Sequence, residues 1–268
     1  MYGAIIAFKD FNPMKGILGS EWVGLKWFLQ FFHSMYFMRL IKNTVTLSLF
    51  SLLWGFPIPI IFALMLNEIK DGIFKRASQT ISYLPHFISI VVVVGIMTNM
   101  LDPATGVVAN FLNSITGMDI NFLNDSSWFR SLYVGSGVWQ EFGWNSIIYF
   151  AALSSIDPTL YEAARIDGAS RFKQIIHITI PGLLPTAIIL LILDSGNILS
   201  IGFVKVNLMY SPATYDVADV ISTYVYRGFL KSQYSFSAAV DLFNSMANFI
   251  VLVAVNTLSR KVSETSLW

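Results

Sequence analysis

The stretch YEAARIDGASRFKQIIHITIPG, residues 161–182, interrupts a chain that is otherwise mostly apolar. Asp157 followed by Pro158 predicts a helix that begins just before this stretch, because aspartate caps free backbone amides and proline suits the first helical turn. Gly168 predicts the end of that helix, and Ser170 predicts the start of a second, amphipathic helix. The sequence therefore predicts a helix–turn–helix between two hydrophobic runs, which is more structure than a simple surface turn needs.

The rest of the chain has the composition of a membrane protein. Of its 268 residues, 55% are hydrophobic and 12% are charged, and the mean hydropathy is +0.62. A soluble domain carries about twice that charged fraction. The net charge of +1 gives no indication of nucleic-acid binding, and the lack of cysteine excludes disulfides, thiolate metal sites and a thiol nucleophile. The composition predicts an all-α, multi-pass membrane protein.

Five apolar segments are long enough to cross a bilayer as helices, which takes about 20 residues each. They cover residues 42–66, 80–101, 131–154, 183–205 and 236–258. No low-complexity linker separates them, so we interpret 1–268 as a single transmembrane domain. Met1–Phe8 is apolar but too short to span, and we interpret it as the tail of a first span whose beginning lies upstream.

Charge gives a weak indication of orientation. The loops 67–79, 155–182 and 259–268 share one side, and their Lys and Arg residues are denser than those of the opposite side. Density favours that side as cytoplasmic, whereas the raw number of Lys and Arg residues does not.

The 155–182 loop has two interpretations on periodicity alone. It is either a docking element for a protein partner or an amphipathic loop that rests on lipid headgroups. The small side chains of Ala163 and Ala164 favour docking, because they let another surface approach the backbone closely. The charged side chains beside them are available to pair with a partner.

The spacing of Glu162-Ala163-Ala164, Gly168, Ile178 and Ile180-Pro181 resembles the EAA motif of binding-protein-dependent ABC transporter permeases, with isoleucine at 180 where leucine is usual. A long, fixed spacing of this kind rarely matches by chance. The stretches IAFKDFNPMKGILGSEWVGL near the start, SYLPHFIS at 82–89 and VADVISTYVYRGFL at 217–230 resemble the carbohydrate branch of that family, of the LplB-like and maltose type.

The resemblance implies a type I ABC importer permease fold, with five complete transmembrane helices in this chain. It implies a subunit that moves an oligosaccharide or polysaccharide across the bacterial cytoplasmic (inner) membrane by alternating access. In such a subunit the 155–182 loop is the cytoplasmic coupling helix, which contacts an ATPase. The implied coupling residues are Glu162, Ala163, Ala164, Arg165, Asp167 and Gly168.

The resemblance also implies the partners. They are a second, related permease that forms a heterodimer with this chain, two cytoplasmic ATPase subunits that bind ATP and Mg, and an extracytoplasmic sugar-binding protein. This chain lacks a Walker A glycine–lysine loop, so we expect no ATP hydrolysis and no cofactor of its own.

Polar residues within the apolar segments are candidates for a substrate path, because such residues are costly in a membrane and usually face a cavity or a partner. Carboxylates and amides hydrogen-bond sugar hydroxyls, and aromatic rings stack on sugar C–H surfaces. An alternative role is hydrogen bonding between helices. The candidates are Trp139, Gln140, Glu141, Asn145, Tyr149, Asp194, Asn197, Asp241 and Asn244.

Other functions are weaker on the sequence but stay open. A permease for a non-sugar solute such as a peptide, or a scaffold subunit without a pore, fits the same pattern of spans. A membrane enzyme would need a convergent catalytic set, and the sequence offers none. His33, His86 and His177 are scattered without a second ligand at metal spacing, so no metal site is predicted.

Overall fold

The computed structural model describes residues 2–117, 120–196 and 198–262, and its regular structure is almost entirely helical. The two short strands, Lys9–Asp10 and Glu21–Trp22, pair antiparallel with Lys9 opposite Trp22. The chain forms two compact units. Unit 1 comprises Met1–Phe50, Ser89–Ser136 and Asn197–Val251, and unit 2 comprises Ser51–Ile88, Gly137–Gly196 and Leu252–Trp268. The single-domain interpretation stays a prediction.

Unit 1 combines short helices with the larger parts of two long ones, Phe37–Gly55 and Tyr234–Val262. Its core is a buried cluster centred on the fully buried ring of Phe31, which meets the ring of Phe37 edge-on at 5.1 Å. The shorter elements are the 3-10 helices Tyr2–Phe8 and Pro212–Thr214, and the α-helices Gly16–Gly19, Lys26–Phe32, Ile90–Met100, Val107–Thr116, Phe203–Met209, Tyr215–Ala218 and Ile221–Leu230.

A buried carboxylate ties two parts of unit 1 together. The side chain of Asp219 is fully buried and accepts hydrogen bonds from Arg227 at 2.7 Å and from Arg39 at 3.2 Å. The hydroxyl of Thr223 donates to its other oxygen at 2.8 Å. Burial of a charge is tolerated only when it is paired and hydrogen-bonded in this way. Asp219 therefore holds the 215–230 segment against the helix that begins at Phe37.

Unit 2 is built around the second half of the long helix Ser126–Ser154. The side chains of Tyr149 and Leu153 pack there with Ala63, Leu183 and Ala187 in a buried cluster. The remaining elements of the unit are the α-helices Pro57–Glu68, Ile73–Tyr83, Pro158–Ile166, Arg171–Gln174 and Ile180–Ser195, the 3-10 helix Leu84–Phe87 and the π-helical turn Ile175–Thr179.

Three helices of the described part are long and apolar enough to cross a membrane, namely Phe37–Glu68, Arg171–Ser195 and Tyr234–Arg260. These confirm apolar spans near three of the five predicted segments. The predicted span 80–101 is instead a pair of helices, broken at Ile88 and Ser89, where the backbone is extended. The helix Ser126–Ser154 has 29 residues, enough to span, but it does not reach the hydropathy of the other three. The predicted count of five is not confirmed.

The predicted span 183–205 extends too far toward its carboxyl end. The helix ends at Ser195, and Phe203–Met209 forms a separate short helix. Gly196 and Gly202 lie between the two helices. Glycine costs about 1 kcal/mol in a helix relative to alanine, because it loses more backbone freedom on folding. Hydropathy alone does not register that cost.

Candidate functional site

The folded part of the predicted loop 155–182 is residues 157–182 (the 157–182 loop), and it begins with the predicted capped helix. The backbone amide of Thr159 donates to the carboxylate of Asp157 at 2.9 Å, and the helix runs Pro158–Ile166. The same hydrogen bond lowers the pKa of Asp157 below its ordinary value, because it stabilises the charged carboxylate. The cap satisfies one of the free amides that every helix start exposes. The predicted start of the helix is confirmed.

Gly168 makes the turn after this helix. Its φ is +73°, in the left-handed region. The amide of Gly168 donates to the carbonyl of Arg165 at 3.1 Å, and the amide of Ala169 donates to the carbonyl of Ala164 at 2.8 Å. This pair of bonds is a Schellman motif. A Cβ atom at position 168 would meet nothing within 4 Å, so glycine is favoured here by the backbone conformation and not by crowding.

The second half of the loop runs directly into a membrane span. The hydroxyl of Ser170 accepts from the amide of Lys173 at 3.4 Å, as predicted for a cap. The helix Arg171–Gln174 then continues through the π-helical turn Ile175–Thr179 into Ile180–Ser195. A displacement of the loop would therefore act on that span through continuous helical backbone.

Side-chain contacts tether the loop within unit 2. The hydroxyl of Tyr161 and the buried hydroxyl of Thr179 are hydrogen-bonded at 3.1 Å. The guanidinium of Arg171 donates to the carboxylate of Glu68 at 3.3 Å, although this ion pair is largely exposed. These contacts connect the first helix of the loop to the second, and the second to the end of the helix Pro57–Glu68. The loop is a folded element and not a slack connection.

The exposed surface of the 157–182 loop carries both apolar and charged side chains. No residue of Pro158–Ile166 is buried, and the side chains of Ile166 and Phe172 are 87% and 71% exposed. Of the two alanines, Ala163 is exposed and Ala164 is half-buried. Three exposed charged residues of this surface form no ion pair within the described residues, namely Glu162, Arg165 and Asp167.

Gln140 and Glu141, two of the predicted path residues, form hydrogen bonds with the segment 84–89, where the helix is interrupted. The ring of His86 lies 2.8 Å from the carboxylate of Glu141 and stacks on Trp144 with ring centroids 4.4 Å apart. The buried amide of Gln140 donates to the carbonyl of Ile88 at 2.8 Å. That carbonyl lies where the helix is interrupted and needs such a donor. The position of His86 directly after Pro85 predicts a structural role for this residue, but the sequence gives no signal for its contact with Glu141.

The other candidates of unit 2 have unlike surroundings. Trp139 and Asn145 are exposed, as is Asp194 near the end of Ile180–Ser195, whereas Tyr149 is buried in the core. The regular spacing of Glu141, Asn145 and Tyr149 thus does not give them a common environment.

In unit 1, Asp241 is exposed and Asn244 is buried. The side-chain oxygen of Asn244 accepts no hydrogen bond within the described part of the chain. Asn197 lies outside the described residues. No cluster of three or more metal-ligating side chains is found in the ranges that the structure describes.

Comparison with known proteins agrees with the architecture. The model of the family described as "Binding-protein-dependent transport system inner membrane component" matches residues 55–264. The polygalacturonan/rhamnogalacturonan transport system permease protein YteP of Bacillus subtilis (strain 168) is 42% identical over 100% of this chain and 84% of its own length. Protein LplB of the same strain is 43% identical over 100% of this chain and 85% of its length.

Two solved structures of ABC transporters are also similar to this chain. A chain of a bacterial ABC transporter involved in the import of the acidic polysaccharide alginate superposes with a TM-score of 0.90 and is 45% identical, covering 97% of this chain and 88% of that chain. A second structure of a bacterial alginate ABC transporter, in complex with alginate pentasaccharide-bound periplasmic protein, has a TM-score of 0.91, 44% identity and coverages of 99% and 88%. The chain belongs to the family of inner membrane components of binding-protein-dependent transport systems, and it is a transport subunit.

Proposed function

We propose that this chain is a membrane-spanning subunit of an ATP-driven importer that carries an oligosaccharide or polysaccharide across the bacterial cytoplasmic membrane by alternating access. The observation that carries the proposal is similarity above 40% identity, over at least 97% of this chain, to YteP and to the chain of the alginate transporter. Both names refer to polysaccharides. The matches to the sn-glycerol-3-phosphate permease UgpA reach only 28% identity over 65% of this chain, which makes a small polyol phosphate the weaker choice.

The 157–182 loop is the contact with a cytoplasmic ATPase subunit in this proposal. The uncovered apolar side chains of Leu160, Ile166 and Phe172 suit burial against a protein. The free carboxylate of Glu162 supplies a charge that pairs with a basic group on that protein. The capped helix, the Schellman turn and the continuous helix into Ile180–Ser195 then pass the motion of the ATPase to the span.

The proposed assembly contains four kinds of component. They are this chain, a second related permease as its heterodimer partner, two ATPase subunits that bind ATP and Mg, and an extracytoplasmic sugar-binding protein. The last is supported by the alginate transporter that was solved with its periplasmic protein. The loop 157–182 lies in the cytoplasm in this arrangement.

The proposed sugar-contacting residues are those candidates whose side chains are exposed in their own unit, namely Trp139, Asn145 and Asp194 in unit 2 and, separately, Asp241 in unit 1. Amide and carboxylate groups there are free to meet sugar hydroxyls. Gln140 and Glu141 have a different role, because their polar groups already bond to the helix break.

The experiment is an ATPase and uptake assay on the complex reconstituted in liposomes, with binding protein that is either empty or loaded with galacturonan oligosaccharides. We expect loaded binding protein to stimulate ATP hydrolysis and uptake, and Glu162→Ala to reduce both. The matched control is Glu21→Ala, which removes an exposed carboxylate in unit 1, more than 100 residues before Glu162 in the sequence. It should behave as wild type.

Three results would contradict parts of the proposal. Stimulation by a peptide-loaded binding protein, with none by sugars, would replace the carbohydrate with a non-sugar solute. Absence of uptake with all partners present would favour a scaffold subunit. Equal stimulation in wild type and Glu162→Ala would remove Glu162 from the ATPase contact.

A further inference from the structure

The segment Met14–Tyr36 of unit 1 exposes many large apolar side chains although its backbone is well held. Leu29 is 54% exposed and Met35 is 85% exposed. The others are Met14, Leu18, Trp22, Leu25, Phe32 and Tyr36. A soluble surface rarely keeps so many large apolar groups together unless something covers them.

The helix Lys26–Phe32 separates these groups by face. Phe28 and Phe31 are buried in the core of unit 1. Leu25, Leu29 and Phe32 are exposed and follow one another at i, i+4 and i+7, which places them on one stripe. Exposed Lys26 and Gln30, also four residues apart, form a second stripe. The helix thus has one face in the core, one apolar face and one polar face outside it.

The backbone before this helix is fixed in place. The ammonium of Lys9 donates to the carbonyls of Ile17 at 2.7 Å and of Ser20 at 3.2 Å. The amide of Phe11 donates to the hydroxyl of Ser235 at 2.8 Å, which anchors the hairpin to the long helix Tyr234–Val262. The exposed apolar groups therefore cannot retreat into the core by a small local rearrangement.

The membrane span that follows this helix indicates what covers its exposed apolar side chains. The helix ends at Phe32, and the membrane span Phe37–Glu68 begins five residues later. The unit 1 part of that span also carries exposed apolar side chains, Met38 and Leu49 among them. An apolar stripe beside a lysine-bearing polar stripe, joined to a span, is the pattern of a helix that lies in the membrane interface.

We propose that Met14–Tyr36 lies in the plane of the membrane interface, with Leu25, Leu29 and Phe32 among the acyl chains and with Lys26 and Gln30 among the headgroups. The covering partner is bilayer lipid. Trp22, the exposed ring of the hairpin, sits at the headgroup level, as tryptophan does at membrane surfaces. The proposal rests on the membrane location of the family and not on the transported solute or the ATPase contact.

The lack of cysteine in this chain makes a direct test simple, because a single introduced cysteine takes a spin label at one position of the chain, and labelled complex of the cysteine-free chain gives the background of the partner subunits. Leu29→Cys and Leu25→Cys probe the apolar stripe, and Gln30→Cys, one residue along the same helix, is the matched control. The full chain is assembled with its co-expressed partner subunits in lipid nanodiscs. Electron paramagnetic resonance then gives the collision rate of each label with oxygen, which concentrates in lipid, and with a water-soluble nickel chelate.

We expect the oxygen-to-nickel collision ratio to be several-fold higher at position 29 than at position 30, with position 25 following position 29. Equal access of nickel to labels 29 and 30 would overturn the proposal in favour of an aqueous surface. Exclusion of both reagents from label 29, with an immobilised spectrum, would overturn it in favour of a protein cover. If Leu29→Cys fails to assemble, the ratio of position 25 to position 30 decides by the same criteria.

Discussion

Replacement of Gly168 by valine tests whether the shape of the 157–182 loop matters for transport. With φ at +73°, most L-residues other than glycine cost about 1–2 kcal/mol, and a β-branched residue is especially unfavourable there. No residue of the preceding helix Pro158–Ile166 is buried, so few contacts compensate this cost. A change of about 1–2 kcal/mol lowers the ratio of the native turn to its alternative conformations by a factor of about 5–30.

The matched control is Gly168→Asn. Asparagine adds a side chain of similar size but adopts the left-handed conformation more readily than other residues. The space around position 168 is open, so neither substitution clashes. We expect the stimulated ATPase rate of the liposome-reconstituted complex to fall several-fold in Gly168→Val and to stay near wild type in Gly168→Asn. Size-exclusion chromatography of each complex shows whether the subunits still assemble.

Two outcomes would refute the reasoning. Full stimulation in Gly168→Val, with assembly intact, would show that the turn geometry is irrelevant to coupling. An equal loss in both variants would show that the added side chain, and not the backbone conformation, is what the partner rejects.

Three further predictions follow from other contacts. Asp219→Asn leaves two arginines without their buried carboxylate, so we expect a loss of about 3–5 kcal/mol of stability, seen as a lower thermal midpoint in detergent; an unchanged midpoint would contradict this. Glu141→Gln and His86→Ala should reduce uptake to a similar extent. The double variant should reduce uptake little further, because both residues belong to one contact. Additive losses of uptake would mean that the two residues have separate roles. The hydrogen bond from Thr159 lowers the pKa of Asp157 in the folded protein below that of an ordinary aspartate. The charged cap therefore stabilises the helix fully at pH values above the ordinary aspartate pKa. This stabilisation is lost as the pH falls through the lower pKa of the folded state. A spin label at Ala163→Cys should therefore gain mobility at strongly acidic pH, and Asp157→Asn should remove that pH dependence.

The candidate path could be only partly anticipated. The sequence shows that Gln140 and Glu141 are polar groups in an apolar helix, which indicates a partner but not its identity. The partners are the carbonyl of Ile88 and the ring of His86, more than 50 residues earlier. A single sequence contains no signal for contacts between residues so far apart. Periodicity also placed Glu141 and Tyr149 on one face, whereas only the packing shows that Tyr149 belongs to the core.

The sequence by itself determined the membrane class, the helical character and the local geometry of the 157–182 loop. Composition reports on the solvent that the chain must match, and caps, glycines and prolines act within a few residues, so their effects can be read in order along the chain. Tertiary structure alone decided that the apolar run 80–101 breaks at Ile88 and that Asp219 is buried between two arginines. Each of these depends on which distant groups supply hydrogen bonds, charge and packing, and hydropathy does not carry that information.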